Sequence, residues 1–412
     1  MDTHARKEEP LFIRLCSRDM REAFLEHRSF KSQGPEMDEL ASYVRSDECE
    51  EDLRKLAQGV YDFPPARQVM LRKAHSERRR IIYIYPPRQN MLLKYLVWGM
   101  QEYDDIFSDS LYSFRRDLNV ADLFHKVLIR KNVHELYAVK ADVHDYGYSI
   151  RPELLKPMLH DIMAERDPAL LSFLEYLLDR NEFVRGDKVV HASMGGLPGV
   201  PVGCFFNNVY LMGLDSAMDA RTTLYSRYAD DICAFVSSAE EAEEVLAQIR
   251  EQVAKMGVTL NEEKTQIVEP GGSVELLGIQ IRGTELDVAD NTLSKAKGKL
   301  THYAKKLIRW ERYGKIAKDE AAARMARRIN HYFYGDGTTE HQLSWREFFF
   351  RVITRPDSLH ELDLVCQDLL RKVATGKLGN ARYRCRYDDL RALGYRPLVH
   401  EYYRYRKEHG II

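Results

Sequence analysis

The chain has 412 residues, 44% of them hydrophobic, with 62 Lys and Arg against 63 Asp and Glu for a net charge of −1. That length allows a large core and two or three structural units, while no stretch approaches the ~18 consecutive apolar residues that would suggest a membrane span. Six dispersed cysteines without a CxxC pair exclude a zinc module and a disulfide framework, leaving reduced, packed thiols.

The opening MDTHARKEEP lacks the apolar segment of a signal peptide, which predicts a cytoplasmic protein. Residues from about 1 to 75 read as mostly helical and polar, with a break at YDFPPARQ. A β-rich step follows in RRRIIYIYPP, then an apolar helix around MLLKYLVWGMQEY. ELYAVKADV alternates Tyr137, Val139, Ala141 and Val143 on one face with Ala138, Lys140 and Asp142 on the other, as a strand should. ELLKPMLHDIM and ALLSFLEYLL are two helices, the first opened by Pro152.

LYSRYADDICAFV reads as a strand hairpin carrying Asp230 and Asp231 in a polar step between two apolar runs. Two adjacent carboxylates cannot both enter a hydrophobic core, because they repel each other and each is costly to desolvate. Either that turn is solvated, or something doubly positive sits against it. AEEAEEVLAQIREQVAKMG is an amphipathic helix with Val245, Leu246, Ile249 and Val253 inward, stopped by Gly257. Two short strands flank the glycines of EPGGSVELLGIQI.

Everything beyond about 291 reads as helical and basic. Residues 291–412 hold 26 Lys and Arg against 14 Asp and Glu, a net of +12, which leaves −13 for the first 290. A basic third on an acidic body suggests a polyanion held by the one and carboxylate chemistry in the other, although a solvated helical surface has the same composition. This region also contains Tyr387-Asp388-Asp389, a near-match to Tyr228-Ala229-Asp230-Asp231 that lies among arginines at the start of a predicted helix, where the helix dipole favours acidic residues. Flanking structure separates the two. The tail interleaves Arg with six tyrosines, which suits either a stacking platform for single-stranded RNA or an amphipathic helix packing its aromatics inward.

Several blocks in a fixed order make the chain resemble the bacterial reverse transcriptases, the group that includes group II intron, retron and phage-defence enzymes. The blocks are RRRIIYIYP with SLYSFRR, VKADVHDYGYSI, GLPGVPVGCFFNNVYLMGLD, RYADDICAF, GVTLNEEKTQIV and VELLGIQI, spanning roughly Tyr61 to Ile281. The resemblance implies an α+β fold, a right-hand polymerase with fingers, a palm of antiparallel sheet with helices, and a helical thumb. It divides the chain into an N-terminal helical region with fingers (1–135), a palm with some interleaved fingers elements (136–290) and a basic thumb with the C-terminal region (291–412).

By the same resemblance, Asp142 and Asp230 bridge two Mg²⁺ ions, the Val143 carbonyl completes the site, and Asp231 supports it. Aspartates are fitting ligands because Mg²⁺ is hard and prefers oxygen. Lys73 and Arg80 match the basic pair that clamps the triphosphate, with Arg79 replacing Arg80 if the register slips by one. Asp145, Tyr146 and Gly147 lie where the nucleotide is bound, Pro198 and Gly199 in the template-handling segment, and Leu276, Leu277 and Gly278 where the primer end is gripped. Lys264 matches a lysine proposed to protonate the leaving pyrophosphate; a solvated lysine would look the same. His144 is not expected to be a metal ligand. Cys204 and Cys233 read as small core residues near the site.

The resemblance further implies an RNA template, dNTP substrates and a DNA product, with a dedicated structured RNA and antiphage defence as the setting. GYRPLVHEYY resembles a C-terminal signature of the unclassified, defence-type enzymes. Rival expectations are a template-independent or self-primed DNA polymerase and a catalytically silent RNA-binding protein. The chain also departs from the family. LPGVPVG is one residue short of LPQGxPxS, lacks its Gln, and has Gly203 in place of Ser. Gly147 occupies the position where the family usually carries a bulky aromatic that blocks a ribonucleotide 2′-hydroxyl. Either the gate is open, or the flexible glycine lets Tyr146 or Tyr148 fill it.

Overall fold

Four helices, Leu11–Leu15, Arg18–Ser29, Pro35–Arg45 and Asp47–Ala57, open the chain, in keeping with its polar helical reading. Their buried residues Leu11, Phe12, Leu15, Val44 and Leu53 join a core that continues into the helices Pro87–Met100 and Pro168–Arg180. Asp167 ties the ends of this layer together. Its carboxylate accepts from the Leu11 N–H at 2.6 Å and caps the helix Pro168–Arg180 through the Leu170 N–H at 3.1 Å.

These features come from a computed structural model that describes residues 9–29, 34–72, 79–130, 132–192, 194–335, 344–377 and 379–411. It divides into one unit formed by 1–123 with 135–270 and another formed by 124–134 with 271–412. Among the described residues no helix is long and apolar enough to cross a membrane.

The first unit holds two four-stranded sheets. One has the order β2-β1-β4-β5, from β1 (Ala66–Arg72), β2 (Arg79–Ile84), β4 (Glu182–Arg185) and β5 (Lys188–His191). The other has the order β6-β7-β3-β8, from β3 (Tyr137–Asp142), β6 (Leu224–Tyr228), β7 (Asp231–Val236) and β8 (Gln266–Val268), all pairs antiparallel. The helix Ala239–Lys255 packs on β3 and β7. It buries Ala242, Val245, Leu246, Ile249 and Val253, a 3.6-residue stripe in which each larger side chain contributes roughly 1.5–3 kcal/mol. Ser238 caps its start, accepting from the Glu241 N–H at 3.1 Å. Gly257 ends it in the left-handed conformation at φ 69°.

Two parts of this unit depart from the sequence reading. β1 begins inside the break at YDFPPARQ and runs on into residues that the helical reading included, yet it pairs antiparallel with β2 over Arg67–Arg72 and parallel with β4. Tertiary pairing decides here over a weak local pattern, helped by Pro64 and Pro65, which disfavour helix just upstream. The β4–β5 hairpin had no clear signal because β5 is an edge strand with no buried residue, so no two-residue alternation is written into it.

The second unit contains an antiparallel meander of β9 (Val274–Leu276), β10 (Ile279–Arg282) and β11 (Glu285–Val288), followed by helices Asp290–Arg312, Lys318–Tyr334, Trp345–Val352, Asp357–Thr375, Tyr387–Ala392 and Leu398–Glu408. Buried Asp363 anchors the last helix, accepting from the Leu398 and Val399 N–H groups at 2.7 and 3.1 Å and from the Tyr395 hydroxyl. The six tail tyrosines differ in burial. Tyr395, Tyr402 and Tyr405 are buried, whereas Tyr383, Tyr387 and Tyr403 are exposed.

Candidate active site

Antiparallel pairing of β3 with β7 puts Asp142 directly opposite Asp231, the last pair of the ladder. The next link is a hydrogen bond from the Val143 N–H to the Asp230 carbonyl at 3.0 Å, so the backbone fixes Val143 against the turn that carries Asp230. That turn has two central residues, Ala229 and Asp230, between the paired Tyr228 and Asp231. Ala229 has φ 54°, a conformation that hairpin turns normally assign to glycine. Holding a non-glycine residue there costs of order 1–3 kcal/mol and requires surrounding structure to impose it.

Asp142 is only 4% exposed. Its carboxylate accepts from the Lys264 Nζ at 2.8 Å, and its backbone carbonyl accepts from the Asn261 N–H at 2.7 Å. The segment after the helix Ala239–Lys255 is thereby fastened to the end of β3, and its lysine is brought to the carboxylate. Burial pulls the Lys264 ammonium down, but the bond to Asp142 and the charges of Asp142, Asp231 and Asp230 outweigh it and hold the group above its ordinary range. Burial first, then the neighbouring charge of Asp230, with a smaller push from Asp142, raises the Asp231 carboxyl to about 6 against the pull of Lys140 and Lys264. The site crowds three carboxylates near two ammonium groups, of which Lys264 is bonded to Asp142.

This donor set of carboxylates and a backbone carbonyl suits a hard divalent cation rather than a soft one. The like-charge crowding at Asp231 is what such an ion would relieve. Among the described residues no three His, Cys, Asp or Glu side chains converge into a finished cage.

After β3 the chain turns sharply at Asp145, which has φ 44° and starts the short helix Tyr146–Ser149. Tyr146 is buried and its hydroxyl donates to the Asn207 carbonyl at 2.6 Å. The Tyr148 hydroxyl donates to the Ile81 carbonyl of β2. A Cβ at Gly147 would meet Pro198 Cβ at 3.4 Å and Asn207 Oδ1 at 3.9 Å, which is ordinary contact. His144 is exposed, 3.7 Å from the Asp145 carboxylate.

The 197–203 segment lies against β2, where the Tyr83 N–H donates to the Pro198 carbonyl at 2.9 Å. Gly199 has φ 92°, and a Cβ there would run into Ile82 Cβ at 2.8 Å. The departure at Gly203 has a steric reason: a Cβ would fall 2.6 Å from the Gly196 carbonyl oxygen and 2.8 Å from that of Leu197. In this short loop serine does not fit. Cys204 and Cys233 are pushed up to about 12 by burial, which keeps their thiols protonated.

The structure therefore gathers Asp142, Val143, Asp230, Asp231 and Lys264 at one end of the sheet. Asp145, Tyr146 and Gly147 follow directly from it. Lys73 lies outside the described residues. Arg80 and its alternate Arg79 are placed in β2 opposite Leu71 and Arg72 through their backbones. Leu276, Leu277 and Gly278 belong to the second unit, where Leu277 and Gly278 form a left-handed turn between β9 and β10 with φ 51° and 78°. Sequence reasoning did not single out Arg227, Asp215, Asn208 or Ser113, all of which are buried beneath the turn that carries Asp230. The available signal was an arginine inside a short apolar strand, where a charge needs a dedicated partner.

A family profile described as "Reverse transcriptase (RNA-dependent DNA polymerase)" matches residues 72–281, half of the chain. No curated protein sequence matches. Among solved structures, the chain is similar to apo telomerase from Candida tropicalis truncated from its C-terminal domain, with TM-score 0.45 and 13% identity over 58% of each chain. It is also similar to telomerase from Candida albicans in complex with a fragment of telomeric RNA, with TM-score 0.45 and 9% identity over 85% of this chain and 66% of that one. The chain thus spans less than two thirds of the length of either structure.

Proposed function

The chain belongs to the reverse transcriptase (RNA-dependent DNA polymerase) family, and on that premise we propose that it copies an RNA template into DNA from dNTPs. The observation that carries this reading is the pairing of Asp142 with Asp231 across β3 and β7, with Asp230 in the adjoining turn. Asp142, Asp230 and the Val143 carbonyl would hold two Mg²⁺ ions, with Asp231 supporting them. When bound, such ions supply activation of the primer hydroxyl and neutralisation of the triphosphate charge.

The chain's own groups prepare that site. The Lys264 ammonium neutralises part of the carboxylate charge while no other cation is bound. Once released from Asp142, it would give a proton to the leaving pyrophosphate. In this reading Asp145 and Tyr146 present backbone N–H groups to the nucleotide phosphates, Gly147 adjoins the bound nucleotide, and Lys73 and Arg80 are the basic pair that clamps the triphosphate. Pro198 and Gly199 lie where the template base is received, and Leu276, Leu277 and Gly278 grip the primer end. In this reading the fingers occupy 1–135, the palm 136–290 and the thumb 291–412, whose net charge of +12 tracks the duplex backbone. A bacterial, cytoplasmic enzyme serving antiphage defence with a dedicated RNA is the setting that the GYRPLVHEYY similarity favours.

Primer extension on a defined RNA template with Mg²⁺ tests the proposal. Template-dependent DNA product from the wild type, and none from Asp142→Ala, is the expected result. Product formed without added template would favour the self-primed or template-independent polymerase. RNA binding without any product would leave a silent binding protein.

A further inference from the structure

Arg227 has no solvent exposure, although it lies in the strand that leads into the catalytic turn. Its guanidinium forks onto the two oxygens of equally buried Asp215, both at 2.6 Å. The Tyr225 hydroxyl adds a third bond to Asp215 at 2.9 Å. The remaining guanidinium hydrogens reach backbone carbonyls: Ala229 at 3.3 Å, Asn207 at 3.4 Å and Asn208 at 3.1 Å. The Asn207 carbonyl also accepts the Tyr146 hydroxyl. One cation therefore links the catalytic turn, the helix Gly203–Tyr210 and the helix that follows β3.

A second support reaches the same turn from the other side. The backbone of Arg227 bonds to Ser110 and Tyr112 at 2.8 and 2.9 Å, which joins residues 110–112 to β6 through a single parallel bridge. This sets Ser113 under the turn. Its hydroxyl accepts from the Ala229 N–H at 3.0 Å and donates to Asn208 Oδ1 at 2.9 Å, while Asn208 Nδ2 donates back to the Ser113 carbonyl at 2.8 Å. Both backbone groups of Ala229, the residue at φ 54°, are thereby held by buried side chains.

An ion pair buried this deeply gains little over well-packed apolar residues of the same volume. What apolar residues could not do is bond the carbonyl and the N–H of a strained turn. We propose that Arg227, Asp215 and Ser113 are positioning residues: they impose the left-handed conformation at Ala229 and so fix the reach of Asp230 and Asp231 toward Asp142. The inference rests on the polymerase reading for its catalytic consequence, but the order of the turn can be measured independently.

Ser113→Ala removes the hydroxyl under Ala229. Arg227→Lys keeps a positive charge beside Asp215, but one ammonium cannot also span the Ala229 and Asn207 carbonyls. The measurements are kcat and KM for single-nucleotide incorporation, amide exchange at Ala229 and Asp230, and Tm. Both variants should lower kcat by about tenfold with KM for the nucleotide within about twofold, because a misplaced catalytic group weakens the chemical step more than binding. Amides of the turn should exchange about tenfold faster while those of the helix Ala239–Lys255 keep their protection. Unchanged kcat and unchanged turn exchange would overturn the proposal. So would a rate loss accompanied by equally faster exchange throughout the unit, which would make the network a folding element only. If Arg227→Lys does not fold, Ser113→Ala carries the test alone. A wild type that incorporates no nucleotide would refute the polymerase reading, and the exchange comparison would still decide the positioning of the turn.

Discussion

Two similar short strings in this chain, RYADD and RYDD, fold in two different ways. Arg227-Tyr228-Ala229-Asp230-Asp231 closes a hairpin, and its last aspartate faces Asp142 across the ladder. Arg386-Tyr387-Asp388-Asp389 opens the helix Tyr387–Ala392, where the Asp389 carboxylate accepts from the Arg386 N–H at 2.7 Å. In the first copy the carboxylates crowd one another. In the second, one of them satisfies a backbone donor that the helix start would otherwise leave unpaired. Identical side chains thus become a catalytic candidate or a helix cap according to what the backbone sets beside them.

The largest effect should separate the copies outright. Asp230→Ala with Asp231→Ala should reduce primer extension by at least about a thousandfold, since in the proposed reading these oxygens would hold the ions whose charge stabilises phosphoryl transfer. RNA binding measured by filter retention should change little, because phosphate contacts come mostly from basic groups elsewhere. Asp388→Ala with Asp389→Ala should leave extension within about threefold. Equal losses from the two double variants would erase the functional distinction.

How much of this was legible in the sequence follows from the physics of each element. The hairpin and β3 could be read because alternating apolar residues force a register, and a register places Asp142 opposite Asp231. The helix Ala239–Lys255 was legible for the same reason, at the helical period. β5 was not, since an exposed edge strand imposes no pattern. The network of Ser113, Asn208, Asp215 and Arg227 was also illegible, because its members are up to 114 residues apart and meet only in the folded chain. Gly203 could be seen as a departure, but its steric reason required the Gly196 and Leu197 carbonyls to be in place.

A second difference should appear in the pH dependence of the protein without divalent ions. The Asp231 carboxyl stands at about 6 in the folded chain, against an ordinary value near 3.8. The folded state therefore holds this proton more tightly than the unfolded state. The resulting stability is complete below about pH 4 and is lost as pH rises through about 6, amounting to roughly 2–3 kcal/mol for this group. Denaturant unfolding between pH 4 and 7 should show the decline, and Asp231→Asn should flatten that part of it. Added Mg²⁺ should restore stability at the upper end of the range. A decline of the same size in Asp231→Asn would assign it to other groups.

A third test concerns the shelf that follows β3, which the helix copy lacks. The hydroxyls of Tyr146 and Tyr148 both donate to backbone carbonyls, those of Asn207 and Ile81, while Gly147 leaves its own position open. With both rings tied, the open gate is the expectation. Wild-type discrimination between dNTP and rNTP should be weak, and Gly147→Phe should raise it by about 1–3 kcal/mol, the value of one shape contact. Single-nucleotide incorporation measures the ratio directly. A sharp fall in selectivity for Tyr146→Ala or Tyr148→Ala would show instead that a tyrosine fills the gate.

The smallest effect belongs to the helix copy and is a matter of stability alone. Asp389 serves the Arg386 N–H, and both acidic residues sit in the first turn, where the helix dipole favours negative charge. Asp389→Ala should therefore cost about 1 kcal/mol of unfolding free energy, as the loss of a capping interaction does. Asp388→Ala, which removes only a charge near the helix start, should cost about 0.5 kcal/mol. High salt should shrink the second cost more than the first, because screening weakens a charge–dipole attraction but leaves a short hydrogen bond largely intact. Chemical unfolding at low and high ionic strength distinguishes them. If Asp389→Ala were neutral at both, the helix would be held by packing through Leu390, which is fully buried, and its acidic residues would be solvated bystanders.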